Sequence, residues 1–211
     1  MPIRVTLKLA TSLDGRIAMP SGESRWITGE ASRTQGHRLR ASHDAILVGV
    51  ETVLADDPEL TVRFGEEGSA VAQPLRIVLD SRLRTPPSAK VASGKTLILT
   101  ATEPHPIGNA EVIRVASADG RPPIAAVLAA LADRNITSVL IEGGGQVAAS
   151  FIRAGRVDRL EWFRAPILLG AEGRPCIAGL ALAKLGNAPK FRRLSAEPLG
   201  DDLWERYEAV R

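Results

Sequence analysis

The strongest constraint on the fold is a repeated pattern in which a short apolar run precedes a segment with helical spacing. Apolar runs of about four to eight residues are typical of strands that are buried on both faces of a parallel sheet. Helices that alternate with such strands cover both faces, so we predict a three-layer α/β fold. The predicted strands are residues 3–10, 45–49, 76–79, 96–100, 111–115, 139–142 and 159–164, and the predicted helices are residues 30–41, 123–133 and 146–154, with one helical turn at 51–55.

The C-terminal part of the chain predicts a different strand arrangement. Residues 203–210 alternate Leu, Trp, Glu, Arg, Tyr and Glu, which is typical of a strand with one exposed face. Together with residues 191–195 they predict an antiparallel pair at the edge of a mostly parallel central sheet. Two stretches rich in glycine, proline and charge, residues 65–73 and 170–179, predict surface loops.

Composition narrows the function classes. A chain of 211 residues is most simply one domain, residues 1–211. Its apolar runs are shorter than the ~20 residues that span a bilayer, and its N-terminus reads as a strand rather than a signal peptide, so we expect a cytoplasmic protein without a membrane partner. A net charge of +3 that is dispersed, with 4% aromatic residues, argues against a nucleic-acid surface and favours local anionic ligands such as phosphates.

Metal and disulfide chemistry are not expected. Cys176 is the single cysteine, so an intramolecular disulfide is impossible and a cysteine-based metal site is disfavoured. The three histidines are scattered without the spacing of metal ligands. We therefore predict no metal.

A glycine-rich turn, Glu142 to Gly145, lies between a predicted strand and a predicted helix. Glycines that expose backbone N–H groups at a helix N-terminus form an anion site, here suited to a cofactor pyrophosphate. Gly143, Gly145 and Ala148 satisfy G-x-G-x-x-A, but a Rossmann fold places this motif near its first strand and too little chain follows it here. The alternative is a tight turn whose glycines serve packing.

Ser81 and Arg82 directly follow the strand predicted at residues 76–79, and Arg84 is close by. The ends of strands in an open α/β sheet are where ligands bind. A hydroxyl and a guanidinium suit a phosphate monoester, such as the 2′-phosphate that separates NADPH from NADH. The alternative for the arginines is a solvated junction between strand and loop.

Lys8 and the adjacent pair Asp56 and Asp57 are charged residues that need a structural explanation. Lys8 lies within an apolar strand, so its ammonium must reach water or pair, and Glu142 is an attractive partner. The alternative is a lysine on an edge strand. Asp56 and Asp57 precede Pro58; adjacent side chains point in different directions, so we interpret one of them as tightening a turn rather than as half of a catalytic dyad.

Three segments resemble one known family: VTLKLATSLDGRIA (residues 5–18), SGESRWITG (residues 21–29) and VGVETVLADDPELTVR (residues 48–63). They are similar to the reductase domain of the bacterial bifunctional riboflavin-biosynthesis protein, and the resemblance continues near residues 74–81 and 141–145. It implies a dihydrofolate-reductase-like fold and NADPH-dependent reduction of 5-amino-6-(5-phosphoribosylamino)uracil to the ribitylamino product. It also implies a homodimer, to which residues 203–210 with Trp204 and Tyr207 would contribute.

The resemblance also implies a set of site residues. The resemblance puts Lys8 in the reductase site and Glu142 at the substrate, and our own hypothesis is that both are catalytic. Arg82 joins the cofactor set from its position after the strand rather than from the resemblance. For three of these residues, a structural role stays open as an alternative to ligand binding. Trp26 would cap the core, Arg40 would complement the helix dipole, and Arg63 would lie at an exposed strand end. The substrate residues are Ser24, Arg40, Leu60, Arg63 and Glu142, and the cofactor residues are Ala10, Trp26, Thr52, Asp56, Ser81, Gly144, Gly145, Gln146, Val147 and Ala148.

The chain departs from the bifunctional protein because it lacks the deaminase motif, H-x-E with P-C-x-x-C. It is therefore a stand-alone reductase or part of a longer protein. Two other functions stay open: an NADPH-dependent reductase of a related heterocycle such as a pterin, and a non-catalytic nucleotide-binding domain.

Overall fold

The computed structural model describes residues 2–63, 72–117 and 120–211. They form two compact units: His37–Ile141 with the N-terminal residues through Arg4, and Val5–Gly36 with Glu142–Arg211. The strands are β1 (Arg4–Thr11), β2 (Arg16–Ala18), β3 (Ala45–Gly49), β4 (Leu75–Leu79), β5 (Thr96–Thr100), β6 (Glu111–Arg114), β7 (Ser138–Ile141), β8 (Arg159–Arg164), β9 (Arg174–Pro175), β10 (Phe191–Leu199) and β11 (Asp202–Ala209). The helices are α1 (Glu30–Ala41), α2 (Val50–Asp56), α3 (Ile124–Ala132) and α4 (Gly145–Arg153), with 3-10 turns at Lys90–Ser93 and Leu185–Asn187.

The first unit contains five parallel strands in the order β7-β3-β4-β5-β6. Every residue of β3 and β5 is buried. Successive side chains of a strand point to opposite faces, so a strand covered on both faces needs an apolar residue at nearly every position. On one face, Val50 and Val53 of α2 pack with strand residues such as Ile46 and Val78.

The second unit combines parallel and antiparallel pairing in the order β10-β11-β8-β1. β1 and β8 are parallel, whereas β11 is antiparallel to both β8 and β10. The register places Lys8 opposite Glu161, and Glu161 opposite Arg206, so these three charged residues share one face. A small second sheet pairs β2 with β9.

The predicted fold class, mostly parallel strands with an antiparallel C-terminal edge, is confirmed. The bounds of α1, β3, β5 and β8 match the prediction, but β10 continues to Leu199. The prediction of a surface loop at residues 170–179 is wrong in part, because the segment contains β9 and Cys176 is only 7% exposed. Residues 65–71, most of the other predicted loop, lie outside the described residues.

In the described ranges, the helices are too short or too polar to cross a bilayer. The same ranges contain no group of three or more His, Cys, Asp or Glu residues that could hold a metal ion.

Candidate functional site

In the second unit, Lys8 and Ala10 lie on β1 beside Glu161 and Phe163 of β8. Both β1 residues are half-buried. The Lys8 Nζ atom lies 5.7 Å from the centre of the Phe163 ring, which is fully buried. α1 approaches this lysine closely: a Cβ atom placed on Gly36 would lie 3.9 Å from Lys8 Cε. The half-buried lysine therefore lies near both a strand and a helix, and its ammonium lies near an aromatic face.

Glu161 is a charged residue of this region that the sequence analysis missed. It is 7% exposed, and its Oε2 accepts a hydrogen bond of 2.8 Å from Trp204 Nε1. Burial raises the pKa of Glu161, and the bond from Trp204 opposes that shift. In the sequence, Glu161 is a single acidic residue within the run Leu160 to Phe163, and that run predicts only a strand.

The glycine turn leads into α4. Gly144 has φ +81°, a backbone conformation that residues with a side chain rarely adopt. Gly145 begins the helix, and a Cβ atom there would lie 2.6 Å from the carbonyl oxygen of Pro175. The amide of Ala178 also donates to the Gly145 carbonyl oxygen at 3.0 Å. Packing against the segment 175–178 therefore requires glycine at 145, and contact with a cofactor pyrophosphate remains a prediction.

The first turn of α4 contains the other predicted cofactor residues. Gln146 is exposed and Val147 is half-buried, whereas the side chain of Ala148 is only 2% exposed. The Ala148 amide already donates to the Gly144 carbonyl oxygen at 3.0 Å. Because the first N–H groups of a helix have no partner within it, the amides of Gly145, Gln146 and Val147 are the better candidates for an anion.

Ser24 and Trp26 lie in the loop that precedes α1. Ser24 is half-buried, and Trp26 is 69% exposed. Such exposure excludes the alternative that Trp26 caps the core. The guanidinium carbon of Arg33 lies 4.6 Å from the centre of the Trp26 ring.

In the first unit, the end of α1 is tied to the segment Leu60 to Arg63. Arg40 Nη1 donates to the Thr61 carbonyl oxygen at 2.9 Å, and the Arg63 amide donates to His37 Nδ1 at 3.1 Å. Arg63 is exposed, and its Nη1 lies 3.2 Å from Glu59 Oε2. Arg40 and the backbone of Arg63 therefore both lie at the C-terminal end of α1.

The structural surroundings of Arg63 and Leu60 differ from what the sequence indicated. Residues 61–63 have no regular secondary structure, so the interpretation of Arg63 as an exposed strand end is wrong. Leu60 is 4% exposed and belongs to the apolar cluster around Val50 and Val53. Its side chain contributes to the core, and its predicted contact with substrate remains a prediction.

α2 carries Thr52 and ends at Asp56, and both residues are half-buried. The next residue, Asp57, has φ 41° and its amide donates to the Val53 carbonyl oxygen at 3.0 Å. Asp57 Oδ1 also accepts a 2.9 Å bond from the Lys90 amide. Asp57 is therefore the aspartate that closes this turn, as the sequence indicated for one of the pair.

The loop after β4 is organised by Asp80, which is fully buried. Asp80 Oδ2 accepts bonds of 2.7 Å from both the amide and the hydroxyl of Thr85, and Oδ1 lies 3.4 Å from the Arg82 amide. This turn presents a half-buried Ser81 and an exposed Arg82. The sequence analysis missed the role of Asp80, although a carboxylate directly after a buried strand was a visible signal.

Arg84 is held differently from Arg82. It forms an ion pair with Glu51 of α2, and the hydrogen bond from this arginine to the carboxylate raises the pKa of Arg84. In the described part of the chain, Arg82 makes no such ion pair, so Arg82 is the better candidate for a phosphate.

The predicted site residues thus form two groups. The first unit holds Arg40, Thr52, Asp56, Leu60, Arg63, Ser81 and Arg82, and the second holds Lys8, Ala10, Ser24, Trp26, Glu142 and Gly144 to Ala148. Convergence of the two groups around one cleft remains a prediction.

Comparison with known proteins identifies the family. The family described as the RibD C-terminal domain matches residues 4–204. The riboflavin biosynthesis protein RibD of Mycobacterium tuberculosis is 41% identical over 201 residues, covering 94% of this chain and 52% of that protein. This chain spans about half the length of the curated relatives it matches.

Solved structures agree in fold. A Thermotoga maritima structure is described as a diaminohydroxyphosphoribosylaminopyrimidine deaminase/5-amino-6-(5-phosphoribosylamino)uracil reductase; it aligns with TM-score 0.85 and 29% identity, covering 99% of this chain and 57% of that one. Dihydrofolate reductase of Enterococcus faecalis aligns with TM-score 0.57 and 14% identity over 99% of this chain and 97% of its own, which shows the fold alone. The chain therefore has the dihydrofolate-reductase-like fold and belongs to the RibD C-terminal domain family.

Proposed function

We propose that this chain catalyses the NADPH-dependent reduction of 5-amino-6-(5-phosphoribosylamino)uracil to its ribitylamino product, a step of riboflavin biosynthesis. The observation that carries the proposal is the family match over residues 4–204. The similarity to the Thermotoga maritima protein, whose description includes this reductase activity, supports it.

The residues after β4 fit the proposed cofactor. Ser81 offers a hydroxyl and Arg82 an exposed guanidinium at the carboxyl end of a buried parallel strand. The Asp80 turn holds both in a fixed loop. Such a pair suits the 2′-phosphate of NADPH, because a guanidinium and a hydroxyl can both donate to one phosphate. The glycine turn before α4 would hold the pyrophosphate.

Arg40 and Arg63 fit the phosphate of the substrate. Their backbone and side-chain bonds place both arginines at one end of α1. A guanidinium binds a phosphate through paired N–H donors, which gives orientation as well as charge. Retention of both arginines favours a phosphorylated pyrimidine over a pterin.

The chemistry requires a proton as well as a hydride. The ribosylamine ring opens when its C1–O4 bond breaks: the glycosylic nitrogen loses its proton and the ring oxygen gains one, which leaves a C1=N imine and a hydroxyl at C4. The bound cofactor would supply the hydride that C1 accepts, and the nitrogen then takes up one proton. We assign that proton to Glu142 and the orientation of the sugar oxygens to Lys8. Holding the reacting atoms within about 3–3.5 Å would account for much of the rate.

We further propose that the two units act as one reductase domain in the cytoplasm, where NADPH and the pyrimidine would be available.

We also propose that the protein is a homodimer. β11 is paired on both sides, and its Trp204 and Tyr207 bond to Glu161 and Glu205 of the same chain. The edge strand is β10, whose Leu194 is 46% exposed, so β10 is the better candidate for the contact. Light scattering of the purified chain tests the dimer.

The test of the function is NADPH oxidation by the purified chain, followed at the absorbance of the reduced nicotinamide. We expect oxidation only when the phosphoribosylamino-pyrimidine is added, and none with a pterin. Pterin-dependent oxidation would identify the alternative reductase, and binding of NADPH without oxidation by either compound would identify a non-catalytic domain.

Two substitutions test the assigned roles. Glu142→Gln should lower turnover by more than about tenfold, in line with general acid catalysis, while NADPH affinity stays within about twofold. Lys8→Met should behave similarly. Full activity of Glu142→Gln would reject its role in proton transfer.

A further inference from the structure

The most exposed aromatic ring in the described chain is that of Trp26, and it is fixed by an arginine that the family resemblance did not include. The ring is 69% exposed. The guanidinium carbon of Arg33 lies 4.6 Å from the ring centre, and that of Arg25 lies 5.9 Å away. At the closer distance, the guanidinium of Arg33 makes a cation–π contact that restricts the orientation of the ring.

Arg33 is itself held in place. It lies in the first turn of α1, and its Nη1 donates to the Thr28 carbonyl oxygen at 2.9 Å. The guanidinium therefore spans the loop between Trp26 and the helix. Its planar group can stack on the ring while one N–H remains bonded to the backbone.

The start of α1 is anchored by a residue distant in sequence. Asp202 of β11 is 5% exposed, and its Oδ2 accepts bonds from the Gly29 amide at 2.8 Å and from the Ser32 hydroxyl at 2.5 Å. A carboxylate at a helix N-terminus also interacts favourably with the helix dipole. This anchor fixes the turn of α1 from which Arg33 extends.

A fixed and exposed indole beside two guanidinium groups suits one class of ligand. The indole offers a flat apolar surface for a planar ring, and the charge of Arg25, whose guanidinium carbon lies 5.9 Å from the ring centre, favours a ligand that also carries phosphate. Without such a ligand, the large apolar ring stays exposed to water. Burying the ring under a planar ligand would contribute favourably to the free energy of binding.

We propose that Arg33 is a positioning residue, which holds the Trp26 indole as the stacking surface for the planar heterocycle of a phosphorylated nucleotide. The inference rests on the proposed function, in which that nucleotide is NADPH. Arg33 acts through the ring rather than through a phosphate, and this distinguishes its role from those of Arg82 and Arg63.

A double-mutant cycle tests the proposal, with NADPH as the probe and its dissociation constant as the measurement. Arg33→Met should weaken binding about three- to tenfold, and Trp26→Ala about tenfold or more. In the Trp26→Ala background, Arg33→Met should add less than twofold, because the residue has lost the ring through which it acts. Additive losses, or an Arg33→Met affinity within twofold of the wild-type value, would overturn the proposal.

Arg156→Met is the matched control, since it removes one positive charge from an exposed position of the same unit. Its affinity should stay within twofold of the wild-type value, and an equal loss in both variants would overturn the proposal by showing a general charge effect. Thermal unfolding verifies that each variant is folded. Wild-type protein that binds NADPH but reduces no pyrimidine would reject the proposed function, whereas the cycle of dissociation constants judges the role of Arg33 separately.

Discussion

Asp80 is the best position at which to test how the loop after β4 is built. Its side chain is fully buried, and its Oδ2 accepts two hydrogen bonds of 2.7 Å from Thr85, which is 3% exposed. Hydrogen bonds to a charged group contribute about 1.5–3 kcal/mol each. The contact at 3.4 Å from the Arg82 amide is too long to contribute much.

These contacts predict different costs for two substitutions. Asp80→Ala removes both short bonds and leaves the buried Thr85 amide without an acceptor. We therefore expect the free energy of unfolding to fall by about 3–5 kcal/mol. Asp80→Asn can place its amide oxygen at the Oδ2 position and keep both Thr85 donors. Only the charge and the long Arg82 contact are lost, so its cost should be about 1–2 kcal/mol.

Urea unfolding, analysed for the midpoint and slope, measures both costs. Glu172→Ala, at an exposed position, is the control and should stay within about 0.5 kcal/mol of the wild-type stability. An Ala variant that loses under about 1 kcal/mol, or an Asn variant as unstable as the Ala variant, would refute the reasoning. Because the turn also presents Ser81 and Arg82, Asp80→Ala should raise the KM for NADPH more than that for the pyrimidine.

Three further perturbations follow from named contacts. Arg82→Glu should raise the KM for NADPH at least tenfold and that for NADH less than twofold; equal losses would contradict a role in binding the 2′-phosphate. Hydrogen bonds from Ser12, Leu169 and Gly170 lower the pKa of Asp14 from 3.8 to about 2. The stability that this carboxylate adds is therefore fully present above pH 3.8, and it is lost as the pH falls through about 2. The difference in urea midpoint between the wild type and Asp14→Asn should therefore shrink from pH 5 to pH 2, and a constant difference would count against it. Gly145→Ala places a Cβ atom 2.6 Å from the Pro175 carbonyl oxygen and should cost about 1–3 kcal/mol, whereas Gly179→Ala, with no atom within 4 Å of its Cβ, should be near neutral in the same unfolding assay.

The elements that could be predicted are those whose signal lies within one short segment. The buried strand Ala45–Gly49 is apolar at every position except its terminal glycine, and the helix Glu30–Ala41 is preceded by Gly29 and ends before Ser42. The strands β2 and β9 could not be predicted, because three and two residues are too few to show a period. Their pairing joins residues more than a hundred positions apart and depends on the rest of the second unit.

The candidate site divides in the same way. The residue types at Ser81, Arg82 and the glycine turn indicate phosphate binding from the sequence alone. The bonds that place them involve residues that the local pattern does not mark, such as Thr85 for the loop after β4 and the segment 175–178 for Gly145. Leu60 is an instructive case, since its side chain belongs to the core although its segment was predicted to contact substrate.

The amino-acid sequence by itself determined the alternation of strands and helices, the antiparallel C-terminal edge, and the residue types available for an anionic ligand, because periodicity and turn chemistry act between neighbours in the chain. Only the tertiary structure decided that Asp202 anchors the start of α1, at a separation of 173 residues from Gly29, and that Glu161 is buried and bonded to Trp204. Such contacts depend on packing and strand register, which bring together residues whose relation leaves no repeating pattern in the chain.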